Sequence, residues 1–281
     1  MITVQKIKRQ LLQYAKFHQV NHQMILIRFF HERLLYRVGQ SLYRQHLILK
    51  GGNLLYAIHG QTARPTIDID FLGRQISNDK NELVFAFKEI VKLEGGDGVK
   101  FFPESIKAEE INEHNKYTGI RIKISASLGN VQQNLQIDIG FGDIIIPSPV
   151  NMQYPVLIEE LKVPNLLTYS IESVIAEKLQ AIFELAQLNS RMKDFFDIYT
   201  LIKSNQIKYE TLRQAVEQTF KNRKTKLNMN SVVFSTDFKN EPNRIKMWQV
   251  FLKKINVAEI PFYEVIDKIN ELLKEICNAK T

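Results

Sequence analysis

Apolar residues recur along this chain with two different spacings. A repeat every three or four positions is typical of an amphipathic helix, whereas strict alternation is typical of a strand with one buried face. The helical spacing predicts helices over residues 3–19, 23–40, 53–59, 78–93, 170–188, 209–221 and 263–278, and another that opens near Ser190. Alternation predicts strands over 66–71, 119–128 and 135–141, with a further strand at 99–103. The pattern favours an α+β fold, in which a mixed or antiparallel sheet is flanked by helices and followed by a helical C-terminal domain.

Glycine and proline indicate where these elements end. Gly129 and Asn130 separate two alternating segments, which predicts an antiparallel pair with a loop at its tip. Four of the eight prolines lie between residues 147 and 164, a density that interrupts regular structure. We therefore expect a basic helical segment over 1–48, a core over 49–150 and a helical domain over 165–281.

The strand predicted over 66–71 carries two acidic residues on one face. The residues of its other face, which we expect in the core, are Ile67, Ile69 and Phe71. Asp68 and Asp70 lie side by side, although like charges repel and aspartate is a poor strand former. A divalent cation explains the pair, because Mg²⁺ is commonly held by one or two carboxylates together with substrate phosphates. The alternative is a solvated strand whose acids are paired with lysines.

A third carboxylate is expected on the strand over 135–141, where Asp138 lies on the polar face. Three acids on neighbouring strands suit two-metal phosphoryl transfer. The alternative is that Asp138 is a cross-strand partner for Arg121 or Lys123. Asp143 is a weaker candidate, because it follows Gly142 in a predicted turn.

A glycine pair precedes the helix predicted over 53–59. Main-chain N–H groups at the start of a helix bind anions, and Gly51 and Gly52 present no Cβ that would keep a phosphate away. Arg64 adds a fixed fork of donors two residues before the acidic strand. The segment is not a Walker A loop, since it lacks G-x-x-x-x-G-K-[ST]. The alternative for the glycine pair is an ordinary turn.

Two separated motifs carry a resemblance to a known family. The first is K-G-G-x-x-L at 50–55 followed by R-x-T-x-D-x-D at 64–70. It resembles the nucleotidyltransferase core of the DNA polymerase β superfamily, and more closely the AbiEii/AbiGii-type (MenT-like) toxins of bacterial toxin–antitoxin systems. The second, E-K-L-x-A at 177–181 followed by R-x-K-D-x-x-D-I-Y at 191–199, resembles the same toxins.

The resemblance implies a nucleotidyltransferase that uses an NTP as substrate and Mg²⁺ or Mn²⁺ as cofactor, with the C-terminal domain completing the active site. The residues expected to act in catalysis are Asp68, Asp70, Lys178 and Asp194. The residues expected to bind the nucleotide are Gly51, Gly52, Arg64, Thr66 and Lys193. The residues expected to bind the metal are Asp68, Asp70 and Asp138. For the C-terminal group the alternative is a structural ion-pair network that pins two helices and consists of Lys178, Lys193, Asp194 and Asp197.

Charge is distributed unevenly along the chain. The net charge is +8, and residues 1–50 contain nine basic residues and one acidic residue, Glu32. This excess suggests a polyanionic partner such as RNA, although an acidic protein is an alternative. Arg33, Arg37 and Arg44 recur at helical spacing and are the expected RNA-facing residues, unless they are ordinary surface charges. Trp248 is a further candidate for stacking on an RNA base.

The single cysteine, Cys277, excludes an intrachain disulfide and favours a cytoplasmic protein. No long apolar segment predicts membrane insertion. The expected function is a toxin that transfers NMP to an RNA acceptor, with a tRNA 3′ end as the resemblance suggests, and that has a cognate antitoxin protein. Two alternatives remain open: transfer to a small molecule such as an antibiotic, and a non-catalytic RNA-binding protein.

Overall fold

The alternating segments form strands of one mixed sheet in the computed structural model, which describes residues 2–113 and 117–278. The eight strands are β1 (Leu47–Lys50), β2 (Asp68–Gly73), β3 (Val99–Phe101), β4 (Lys107–Glu113), β5 (Tyr117–Leu128), β6 (Val131–Phe141), β7 (Val150–Gln153) and β8 (Asn165–Thr168). Their order is β3-β5-β6-β2-β1-β8-β7, and β4 also pairs with β5. The predicted antiparallel pair across Gly129 and Asn130 is confirmed as β5 and β6.

Both strand directions occur at the centre of the sheet. Strand β2 is antiparallel to β1 and parallel to β6, and β1 is parallel to β8. The sheet is therefore mixed, which confirms the α+β fold predicted from the sequence. Strands β1, β4, β7 and β8 were not predicted. Strands β1, β7 and β8 have only four residues each, and β4 is mostly polar and does not alternate clearly.

The helices predicted from the sequence fall close to their expected bounds, and two further helices, over residues 236–240 and 242–254, were not predicted. They are α1 (Val4–Phe17), α2 (His22–Gln40), α3 (Gly51–His59), α4 (Lys80–Lys92), α5 (Ile171–Leu185), α6 (Met192–Lys203), α7 (Tyr209–Asn222), α8 (Thr236–Asn240), α9 (Pro242–Lys254) and α10 (Phe262–Asn278). Several begin at polar caps: Thr3, Asn21 and Asp79 accept hydrogen bonds from main-chain N–H groups in the first turns of α1, α2 and α4. Among the described residues, no helix combines the length and the apolar character needed to cross a bilayer.

The chain divides into two units. The first comprises the residues up to Gly142 together with Val150–Thr168, and it contains the whole sheet with helices α1 to α4. The second comprises Asp143–Pro149 together with the residues from Tyr169 onward, and its regular elements among the described residues are helical. The first unit thus includes the segment expected over 1–48 as well as most of the expected core.

Helix α2 is buried on almost every side, and this corrects the predicted RNA-facing residues. Arg33 is 0% exposed and Arg37 is 3% exposed. Arg33 forms an ion pair with the equally buried Glu32 and donates to the carbonyl of Lys162. Glu32 accepts a hydrogen bond from the main-chain N–H of Leu157, and burial raises its pKa to about 7 despite the neighbouring guanidinium. These charges attach a loop to α2 and cannot face RNA.

Arg37 and Arg44 also have structural partners. Arg37 forms a two-pronged ion pair with the buried Asp97, with N–O distances of 2.8 and 3.1 Å. Asp97 lies in the glycine-rich turn after α4, where a Cβ on Gly95 would come within 2.7 Å of the Arg37 guanidinium. Arg44 donates to the carbonyl of Asn165 at the start of β8. The prediction that these arginines face RNA is therefore wrong for the two buried ones, and Arg44 ties neighbouring strands together.

Candidate active site

Three carboxylates meet on one face of the sheet. Asp68 and Asp70 alternate along β2, and Asp138 on the parallel strand β6 is in register with Asp70. Alternate residues of a strand share a face, so this register brings the three side chains together. One oxygen from each lies within 4.8 Å of the others, and all three residues are half-buried. We call these three residues the acidic trio.

The apolar side of β2 differs in one position from the prediction. Ile69 and Phe71 are fully buried, but Ile67 is 68% exposed. The strand begins at Asp68 rather than at Thr66, so residues 66 and 67 lie before the ladder begins and Ile67 is not held against the core. The alternating pattern in the sequence extends two residues beyond the strand, since the pattern alone does not show where strand pairing begins.

Asp138 forms the cross-strand pair with Arg121 that was considered for it, and its role as a metal ligand stays a prediction. Its two carboxylate oxygens accept hydrogen bonds of 2.8 Å from Nε and Nη2 of Arg121, which lies opposite it on β5. This bond raises the pKa of the Arg121 guanidinium above its usual value. Each carboxylate oxygen has a second lone pair, so the ion pair leaves Asp138 able to ligate a cation with the rest of the trio.

The glycine pair lies directly against the acidic strand. Gly51 has φ +66°, and a Cβ there would lie 1.9 Å from Oδ2 of Asp70. A Cβ on Gly52 would lie 2.6 Å from the Cβ of Thr66, whose hydroxyl donates to Oδ1 of Asp68. Helix α3 begins at Gly51, and the first N–H groups of a helix have no partner within it. The start of α3 therefore lies beside the acidic trio, and the prediction that its N–H groups bind a phosphate stays a prediction. The half-buried Arg64 lies between the end of α3 and β2.

A buried polar network that the sequence did not indicate supports this arrangement. Asn53, in the first turn of α3, donates from Nδ2 to the main-chain carbonyl of Asp68 at 2.7 Å. Its Oδ1 accepts from the hydroxyl of Tyr154 at 3.2 Å and lies 3.3 Å from Nδ1 of His31. Burial lowers the pKa of His31 to about 4, so the ring is neutral near pH 7 and its Nδ1–H can donate to Asn53. Asn53 therefore fastens the start of α3 to the acidic strand β2.

A second charged cluster lies within the helical unit. Nζ of Lys178 on α5 lies 2.8 Å from Asp194 and 2.7 Å from Asp197, both on α6. Arg191 Nε lies 2.6 Å from the other oxygen of Asp194. Burial alone would raise the pKa of Asp194, but Lys178 and Arg191 outweigh it and lower the pKa to about 2. Lys193 is exposed and lies outside these ion pairs.

This geometry limits what each member of the cluster can do. Asp194 is 0% exposed, so it cannot contact a substrate and acts by holding Lys178 and Arg191 in place. Arg191 was not among the predicted site residues, although it begins the second motif. The ion-pair network considered as an alternative is present in altered form, with Arg191 instead of Lys193, and it pins α5 to α6.

Two weaker candidates have structural roles. Asp143 pairs with Arg223 at 2.7 Å within the helical unit, which accounts for its charge without a metal. Trp248 is 1% exposed, and its indole N–H donates to the carbonyl of Ile260. The expectation that Trp248 stacks on an RNA base is therefore wrong, because its ring belongs to the core.

Two solved structures from Helicobacter pylori share this fold. One is the crystal structure of JHP933, with a TM-score of 0.53 and 15% identity, covering 92% of this chain and 94% of that chain. The other is a proposed nucleotidyltransferase, with a TM-score of 0.53 and 17% identity, covering 92% of this chain and 97% of that chain. No curated protein matches the sequence significantly. These likenesses show that the chain has the fold of the two Helicobacter pylori proteins.

The family follows from the sequence itself. Residues 33–275 match the profile of the family described as nucleotidyl transferase AbiEii toxin, type IV toxin–antitoxin system. Because the match covers most of the chain, the protein belongs to this family. The family and the enzyme class predicted from the two motifs are thereby confirmed, and membership implies an antitoxin as partner.

Proposed function

We propose that this protein transfers a nucleoside monophosphate from an NTP to an RNA acceptor, with a tRNA 3′ end as the first acceptor to test. The observation that carries the proposal is the acidic trio beside the glycine-opened start of α3. Hard carboxylate oxygens within 4.8 Å of one another fit Mg²⁺ or Mn²⁺, which prefer oxygen ligands. Asp68, Asp70 and Asp138 would hold the cation.

In this reaction a hydroxyl of the acceptor attacks the α-phosphorus of the NTP, and pyrophosphate leaves. The bound cation would supply charge neutralisation at the reacting phosphate and would lower the pKa of the attacking hydroxyl. The N–H groups at the start of α3 would bind phosphate oxygens, which Gly51 and Gly52 allow to approach closely. Thr66 orients Asp68 through its hydroxyl, and Asn53 holds the main chain of the same residue.

The proposal also assigns a role to basic side chains of the second unit. Lys178 and Arg191 carry positive charge that buried Asp194 orients, and such preorganised donors stabilise charge on a transferring phosphoryl group. Lys193 is exposed, so its ammonium group would be accessible to the triphosphate. We propose phosphate binding for Lys178, Arg191 and Lys193 from the second motif and, independently, for Arg64 from the first.

The test is incubation of the purified protein with each α-³²P-labelled NTP, Mg²⁺ and total RNA. We expect label to enter a tRNA-sized band with the native protein and not with Asp68→Asn, which removes one ligand charge while preserving shape. Asp79→Asn is the matched control, since Asp79 caps α4 and belongs to no acidic cluster. Transfer that persists in Asp68→Asn and is lost in Asp79→Asn would contradict the proposed site.

A small-molecule acceptor is the second candidate, and the burial of Arg33 and Arg37 favours it. These two residues were part of the charge-based argument for RNA, which the structure has weakened. The same incubation with candidate small acceptors in place of RNA would reveal labelled products of low mass. Label in those products with none in RNA would replace the first proposal.

A further inference from the structure

A row of charged residues crosses five adjacent strands on the face of the sheet that carries the acidic trio. The cross-strand registers join Lys50 on β1 to Asp70 on β2, Asp70 to Asp138 on β6, Asp138 to Arg121 on β5, and Arg121 to Glu109 on β4. Two of the three acids of the trio thus lie in the middle of the row, with a basic residue in register on each side. The guanidinium fork of Arg121 engages both oxygens of Asp138 at 2.8 Å.

The trio needs such a cation when no metal is bound. Three carboxylates whose oxygens lie within 4.8 Å repel one another, and an adjacent positive charge lowers that repulsion. Arginine keeps its charge at every physiological pH and matches a carboxylate with two parallel hydrogen bonds. The side chain of Arg121 is 29% exposed and that of Asp138 is 13% exposed, so the pair is partly shielded from water and its charges interact more strongly than surface charges do.

We propose that Arg121 is the counter-cation of the acidic trio, weakening the binding of a divalent ion in the absence of nucleotide so that the metal is taken up together with the triphosphate. The inference rests on the proposed function, because it takes the trio as the metal site. A guanidinium at Asp138 repels an incoming cation, whereas the negative triphosphate offsets that repulsion. The two ligands are therefore coupled, and each must raise the affinity for the other by the same factor.

The experiment measures Mn²⁺ binding directly, through the electron paramagnetic resonance signal of free Mn²⁺, with and without a non-hydrolysable NTP analogue. Arg121→Gln removes the charge and keeps a hydrogen-bonding group. We expect it to tighten Mn²⁺ binding without nucleotide on the order of tenfold, and to reduce the tightening that the analogue produces in the native protein. Arg121→Lys keeps the charge, so its affinity should stay within about threefold of the native value.

Lys123→Gln is the matched control. Lys123 lies two residues from Arg121 on the same face of β5, but it pairs with Glu109 at 2.7 Å and its side chain is half exposed. The Lys123→Gln substitution removes one positive charge from the same strand without altering a contact of the trio, so Mn²⁺ binding should change by less than about twofold.

Several results would overturn the inference. Arg121→Gln binding Mn²⁺ as the native protein does, or more weakly, would show that Arg121 is no counter-cation. Arg121→Lys tightening as much as Arg121→Gln would show that charge is not the cause. If Arg121→Gln fails to fold, Arg121→Lys combined with the analogue titration of the native protein still tests the coupling. Absence of Mn²⁺ binding in both the native protein and Asp68→Asn would reject the metal site itself, whereas equal binding in the native protein and Arg121→Gln rejects only the role of Arg121.

Discussion

Replacement of Gly51 by alanine tests whether the glycine pair exists to let the start of α3 approach the acidic strand. Gly51 has φ +66°, where an L side chain costs about 1 kcal/mol. The added Cβ would also lie 1.9 Å from Oδ2 and 2.8 Å from Cβ of Asp70. Rotation of Asp70 can remove its oxygen but not its Cβ, so the two main chains must separate by about 0.6 Å to restore ordinary contact. Asp70 then leaves the position that the trio requires.

Gly96→Ala supplies the matched control for this variant. Gly96 has φ +65°, and a Cβ there would meet nothing within 4 Å, so it carries a comparable backbone penalty without the steric conflict. By urea denaturation we expect Gly96→Ala to lose about 1 kcal/mol of unfolding free energy through backbone strain, and Gly51→Ala to lose more, because its steric conflict adds to the same strain. Only Gly51→Ala should lose Mn²⁺ binding and at least tenfold in transfer rate, because small misplacements of reacting groups are costly. Equal activity of the two variants would refute the reasoning.

Three further predictions concern ionisable side chains that are buried or nearly so. Arg37→Ala should lower the unfolding free energy by about 3–5 kcal/mol, because the buried Asp97 loses its cation, while filter binding to RNA and its salt dependence stay unchanged; weaker RNA binding at unchanged stability would restore a surface role. The pKa of His31 falls from 6.5 to about 4 on folding, so its contribution of about 3 kcal/mol is complete above pH 6.5 and is lost as the pH falls through 4. His31→Gln should reduce the dependence of the urea midpoint on pH between pH 4 and 6.5. An unaltered pH dependence would count against this assignment. Lys178→Met should destabilise the protein by about 3–5 kcal/mol and raise the pKa of Asp194, with partial recovery on adding Asp194→Asn; an unchanged unfolding midpoint would limit Lys178 to substrate binding.

Local patterns in the sequence predicted the elements that carry the acids. Alternation placed Asp68, Asp70 and Asp138 on polar faces, because side-chain direction in a strand depends only on the parity of the position. The pairing of β2 with β6 is a long-range property, and it is what turns two separate acidic strands into one trio. The resemblance to the nucleotidyltransferase superfamily, rather than geometry in the sequence, grouped Asp138 with the other two acids.

The sequence could not predict which charged residues are buried. Arg37 and Asp97 are 60 positions apart, and nothing in the helical period distinguishes an arginine that faces such a partner from one that faces water. The same holds for Asn53, whose type is common at exposed helix starts but which here bonds three other groups inside the protein. Local periodicity describes one element at a time, whereas these roles depend on contacts between elements.

The route of the chain between its two units affects how the protein folds while it is being synthesised. The polypeptide passes from one unit to the other after Gly142, again after Pro149 and a third time after Thr168. During translation β1 therefore lacks its parallel neighbour β8 until the ribosome has passed residue 168. The buried Glu32 and Arg33 likewise lack their main-chain partners until Leu157 and Lys162 have been made. A nascent chain that stops near residue 150 would expose the edge of β1, and open strand edges favour aggregation. The acid-bearing unit thus cannot finish folding until a segment of the second unit has already been made.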